Sequence, residues 1–220
     1  MAKLTRNKRP RFYVEFRLHG YAKAYAKRII WSIAKKYKVK GITRNRVVPH
    51  IGLYGSGELG NKRDINKVIS IIERVGQKYL LVPFKIEGFG YFDETPKVIY
   101  LAINPSKELQ ELRWELYQGL KEVSSCQSHD RHSKTKFKFH GTIAFKDIDR
   151  KFKRIWLDVK NRREPDIKQY LLRISVIGGT GKIICEYDLL LNKLLNRKQA
   201  LSRYWWGKTL NRLKDLQAAV

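Results

Sequence analysis

The chain has 220 residues, 43% of them hydrophobic, enough to bury one sizeable core without disulfides or metals to hold it together. Its 47 Lys and Arg stand against 20 Asp and Glu, a formal charge of +27 that repels itself and attracts polyanions. Two cysteines, Cys126 and Cys185, are too few for a disulfide framework, and no apolar run reaches membrane-spanning length. These features point to a soluble, cytoplasmic protein whose partner is nucleic acid, with no membrane and no obligatory protein partner. The excess of Lys is not matched by Glu, unlike the charge-balanced surfaces of heat-stable proteins. Residues 1–11 are basic but lack the apolar run of a signal peptide.

Phe12, Val14, Phe16 and Leu18 alternate with Tyr13, Glu15 and Arg17, the period of a half-buried strand. Over 21–38, Ala22, Ala26, Ile29, Ile30, Ile33 and Tyr37 recur at helical spacing, with lysines mainly elsewhere. A strand over 47–54 follows, then a helical stripe of Ile65, Val68, Ile69, Ile72, Val75 and Tyr79, then a strand over 82–92 weakened by Gly88 and Gly90. The second half repeats this order. A strand over 97–103 leads to a helix capped by Asn104 with Pro105 in its first turn, burying Leu109, Leu112, Leu116, Leu120 and Val123. After a polar loop over 124–136 come a strand over 137–145 and a helix opened by Asp147. A hairpin of strands 168–177 and 182–190, turning on Gly178-Gly179-Thr180-Gly181, completes the body.

Two β-α-β-α-β halves in succession predict an internal duplication, bilobed, whose equivalent strands can face each other across a cleft. One domain is expected over 1–195, its lobes spanning about 11–93 and 97–195 with strands free to swap between them. A basic, aromatic C-terminal extension occupies 196–220. In each half one histidine sits on the strand between the two helices. Approximate two-fold symmetry would bring His50 and His140 together across the cleft.

Residues two apart on a strand share a face, so His50, Gly52 and Tyr54 are expected opposite Val47, Ile51 and Leu53. By the same count His140, Thr142 and Ala144 lie opposite Phe139, Ile143 and Phe145. A lone strand histidine is ordinarily structural; two in matched positions suggest a pair, one ring neutral as base and the other protonated as acid.

Phe139-His140-Gly141-Thr142-Ile143 carries the pattern His-x-Thr/Ser-hydrophobic, and Pro49-His50-Ile51-Gly52-Leu53 carries it with Gly52 in the hydroxyl position. With this pairing, spacing and element order, the chain from Arg11 to about Leu195 resembles the 2H phosphoesterase superfamily, in its 2'-5' RNA ligase and RNA 2',3'-cyclic phosphodiesterase branch. The resemblance implies an α+β fold, bilobed and duplicated, with antiparallel-rich sheets facing a central cleft and helices outside, catalysis without metal or cofactor, and both histidines on the scissile phosphate. His50 and His140 become acid and base, and Thr142 a phosphate ligand. Gly52 can offer only its backbone, with Ser56 or Tyr54 as substitutes for the missing hydroxyl. The implied substrate is a single-stranded RNA end carrying a 2',3'-cyclic phosphate, such as a tRNA fragment. An RNA-binding protein on a weakened scaffold, or a phosphodiesterase for a small nucleotide such as an ADP-ribose cyclic phosphate, are the alternatives.

Arg131, Lys134, Lys136 and Lys138 precede His140 and could guide a phosphate into the cleft. In the tail, Tyr204, Trp205 and Trp206 lie among Arg197, Lys198, Arg203, Lys208, Arg212 and Lys214, a composition suited to single-stranded RNA or to packing on the body. Cys126, His129 and His132 have metal-like spacing but read as a solvated loop.

Overall fold

The computed structural model describes residues 10–44 and 47–218; most of the basic stretch 1–11 lies outside the described residues. Nine strands and six α-helices alternate along the described chain: β1 (Arg11–Arg17), α1 (Gly20–Tyr37), β2 (His50–Glu58), α2 (Ile65–Gly76), β3 (Val82–Phe92), β4 (Val98–Pro105), α3 (Lys107–Leu120), β5 (His140–Phe145), α4 (Phe152–Lys160), β6 (Asp166–Leu171), β7 (Arg173–Gly178), β8 (Ile183–Asp188), β9 (Lys193–Asn196), α5 (Arg197–Leu201) and α6 (Arg203–Ala218). They form an α+β fold with two antiparallel sheets, one of five strands in the order β2-β1-β7-β8-β9 and one of four in the order β5-β4-β3-β6.

The five-stranded sheet draws strands from both ends of the chain, and the four-stranded sheet is built from the segment between them, Val82 to Leu171. β3 pairs with β4 and β6, while β7 returns to lie beside β1. The hairpin expected from 168–177 and 182–190 is therefore three strands. Its first arm breaks at Leu172, so that β6 joins the four-stranded sheet and β7 the five-stranded one. Leu171 and Leu172 are both buried, at 0% and 2% exposure, so the chain crosses between sheets through packed apolar surface.

One apolar cluster runs through the molecule, joining Phe12, Val14 and Phe16 of β1, Ile29, Ile30 and Ile33 of α1, Val68 and Ile72 of α2, and Leu109, Leu112 and Leu116 of α3. Leucines of this kind contribute about 1.5–3 kcal/mol each when fully buried. Two helix starts differ from expectation. Asn104 pairs with Lys85 inside the sheet, so the strand runs on to Pro105 and Ser106 caps α3 instead, its hydroxyl accepting from the Leu109 N–H. Asp147 opens no helix, because its carboxylate accepts the backbone N–H groups of Lys40 and Gly41; α4 starts at Phe152 after a short 3-10 turn.

The polar loop over 124–136 contains a 3-10 turn, Ser128–Arg131, and is anchored to β2. Asp130 accepts the Gly55 N–H with both carboxylate oxygens. Arg113, fully buried on α3, donates to the carbonyls of Leu53, Asp130 and His132 and faces the Phe137 ring at 3.7 Å. Burial pulls its guanidinium down to about 10, opposed by the Asp130 charge.

Candidate active site

β2 and β5 are edge strands of different sheets, and the sheets meet along them. A Cβ on Gly141 would lie 3.8 Å from the His50 carbonyl oxygen and 4.0 Å from Ile51 Cγ1, so the backbones touch beside the two histidines. His50 and Thr142 also line one cavity of about 310 Å³ at this seam.

The histidines are held alike. The Nδ1 of His50 lies 2.8 Å from the Val48 carbonyl oxygen, and the Nδ1 of His140 lies 2.9 Å from that of Lys138, in each case two residues upstream. A carbonyl only accepts, so each ring carries its proton on Nδ1 and keeps Nε2 for chemistry. Their surroundings differ. His50 is half exposed, and its Nε2 stands 3.5 Å from a Glu15 carboxylate oxygen. His140 is flanked by Phe92, edge-on at 5.0 Å, and by Tyr100 at 5.3 Å. Burial pushes its pKa below the ordinary histidine value, and the nearby His129, His50 and Lys138 push the same way. His140 is thereby favoured in its neutral form at neutral pH.

Neither Glu15 nor the aromatic pair was identified from sequence. Glu15 reaches the site because it pairs across the ladder with Gly52, two positions from the His50–Arg17 pair and so on the same face. The only sequence hint is an acid on the polar face of the first strand of a strongly basic chain. Burial raises the Glu15 pKa, opposed by the charges of His50 and Arg17. Tyr100 is seated by Gly90, where a Cβ would come within 2.5 Å of the Tyr100 ring.

Gly52 faces open space, with nothing within 4 Å of a Cβ built upon it. Its expected substitutes are elsewhere. Register shifts between β1 and β2 move Tyr54 onto the face of Val14, where it is 1% exposed, stacks on Phe12 at 5.9 Å and bonds Ser124 and Ser125. Burial pushes its phenol up to about 12. Ser56 lies six residues along β2 from His50, roughly 20 Å at strand rise, beyond reach of the same phosphate. A further shift between β4 and β5 changes the phase of β5: Ala144 is buried at 3% exposure, and Phe145 instead lines the cavity with Thr142.

Of the basic residues before His140, Lys138 is adjacent to the site, its ammonium 5.7 Å from the Phe92 ring. Lys134 turns toward Glu111 at 3.9 Å, and Arg131 and Lys136 are exposed on the loop. Trp206 packs on the body, with the Arg173 guanidinium 4.1 Å from its ring and that of Arg17 5.7 Å away. Thr209 and Arg173 tie α6 to Asp188. Trp205 is half-buried between Lys193 and Lys208, and Tyr204 is 62% exposed. Among the described residues no three His, Cys, Asp or Glu side chains gather as a metal cage, Cys126, His129 and His132 included. No helix among them is long and apolar enough to cross a membrane.

Two antiparallel sheets in an α+β frame, with one motif histidine on each side of the seam between them, define the architecture of a 2H phosphoesterase. The sequence matches the model of the 2'-5' RNA ligase superfamily over residues 25–179, and the chain belongs to that superfamily. Its structure is similar to the crystal structure of TT0787 of Thermus thermophilus, with a TM-score of 0.56 and 14% identity over 81% of this chain and 97% of that one. Kluyveromyces marxianus Usb1 aligns with a TM-score of 0.49 and 10% identity over 85% of this chain and 97% of that one. The comparison with curated proteins gave no match.

Proposed function

We propose that the protein hydrolyses RNA 2',3'-cyclic phosphate ends by two-histidine acid–base catalysis without a metal. The observation that carries this reading is the identical tethering of the two rings, each with Nδ1 on the carbonyl two residues upstream, on strands that touch at Gly141 and His50. His140, favoured neutral by its burial, takes a proton from water as the water oxygen bonds to phosphorus. The bond from phosphorus to one ribose oxygen breaks, and His50 delivers a proton to that oxygen. Glu15, 3.5 Å from His50 Nε2, is placed to balance the imidazolium charge. Thr142 is the hydroxyl ligand of a nonbridging oxygen. Membership in a superfamily of RNA ligases and the charge of +27 support RNA as the substrate class.

The test is turnover of a short RNA ending in a 2',3'-cyclic phosphate, with chelator present. His50→Ala and His140→Ala should each lose about 10²–10⁴ in kcat. Full activity in both variants would refute the assignment. The open position at Gly52 favours a second reading, RNA binding on a weakened catalytic frame. That reading predicts tight binding indifferent to both histidines, falling steeply with salt.

A further inference from the structure

The two departures from regular backbone at the end of β5 converge on the cavity beside His50. The shifted register between β4 and β5 turns Phe145 into it, where an unbroken strand would have presented Ala144. Bulges next to active sites commonly re-aim a side chain in this way. Lys146 follows with φ of 76°, a left-handed conformation that a long side chain adopts only when its surroundings enforce it. It too lines the cavity, its ammonium 5.8 Å from the Phe145 ring. The remaining walls include Ile42, Val48 and Pro49, while His50 and Thr142 supply the polar end.

We propose that this cavity is the base pocket for the terminal nucleotide of the RNA, an inference that rests on the phosphoesterase reading above. A volume of about 310 Å³ is at the lower end for ligand pockets and suits one nucleoside, not a duplex. Its polar end consists of the residues assigned to the phosphate, and its walls are the apolar and aromatic surfaces on which a base stacks. Lys146 stands where it can meet the next phosphate of the strand. Val48 serves both functions, since it lines the pocket and its carbonyl holds His50 Nδ1. Filling the pocket therefore bears on the segment that orients His50.

The experiment compares an RNA ending in adenosine 2',3'-cyclic phosphate with the same RNA ending in an abasic ribose 2',3'-cyclic phosphate. Wild type should prefer the adenosine end by roughly ten- to hundredfold in kcat/KM, the scale of one stacked base. Phe145→Ala and Val48→Trp should erase most of that preference, and Phe145→Tyr should retain it. Equal rates on the two ends in wild type, or an undiminished preference in Val48→Trp, would overturn the proposal while leaving the phosphoesterase reading intact. If wild type cleaves neither end, that reading fails and equilibrium binding decides the pocket. Adenosine 2'-monophosphate should then bind His140→Ala at least tenfold tighter than ribose phosphate, and equal affinities would overturn it.

Discussion

Replacing Gly52 with Thr should make the enzyme faster and the fold more stable, by separable amounts. The position is exposed, its backbone is outside the left-handed region, and a Cβ there meets nothing within 4 Å. Glycine within a strand costs roughly 0.5–1 kcal/mol relative to alanine, and a β-branched residue suits a pleated surface. About 1 kcal/mol corresponds to roughly 2–4 °C in Tm for a chain of this size. The hydroxyl adds a donor to a phosphate oxygen, and a hydrogen bond to a charged group is worth about 1.5–3 kcal/mol, or roughly 10- to 100-fold in kcat/KM. Gly52→Ala isolates the two effects, because it gains backbone stability without a donor. Calorimetry on both variants, with steady-state kinetics on a cyclic-phosphate RNA, gives the result. If Thr and Ala change kcat/KM equally, or if Thr slows the enzyme by tying up Glu15, the reasoning about a vacant donor position is wrong.

Tyr54→Phe removes bonds to Ser124 and Ser125 remote from the phosphate; urea denaturation should show a loss of about 0.5–1.5 kcal/mol, with kcat unchanged. Asp130→Ala strands the fully buried Arg113 guanidinium and should cost about 3–5 kcal/mol, again read from denaturant midpoints. His19 and His140 both have pKa values lowered by burial. The unfolded chain therefore binds more protons, and stability, present above the ordinary histidine pKa of about 6.5, should fall as the pH drops through the two depressed values. A pH series of thermal midpoints checks this, and a flat profile from pH 7 to 5 in which His140→Gln behaves as wild type would contradict it.

Strand phase was readable in the sequence only as far as each strand stayed regular. His50, Ile51 and Gly52 alternate as expected, but two residues later the shifted register with β1 puts Tyr54 in the core. The same event in β5 exchanges Ala144 for Phe145. A bulge depends on which strand lies alongside, so one strand's own pattern cannot disclose it. Glu15 was hidden for the same reason, since it joins the site through a cross-strand partner. The break at Leu172 lies inside a run, from Tyr170 to Ile177, whose apolar composition suits one long strand. Only the need of two sheets for one strand each explains it. The histidine motifs, by contrast, are local in sequence and can be read without knowing which strand lies alongside.

The crossover at Leu172 also bears on how the molecule comes into being. β1 is among the first segments made, yet its neighbour β7 begins at Arg173, and β3 must wait for β6 at Asp166. At about 5–20 residues per second β1 and β3, already paired with β2 and β4, each lack their second neighbour for several seconds of synthesis or more. Pairings so distant in sequence also slow folding. Neither sheet can be completed by half a chain, so a nascent or truncated product ending before Leu172 would expose sheet edges and a cationic surface together. The histidine-bearing strands are both made by Phe145, whereas the sheet behind His50 waits for β7, β8 and β9.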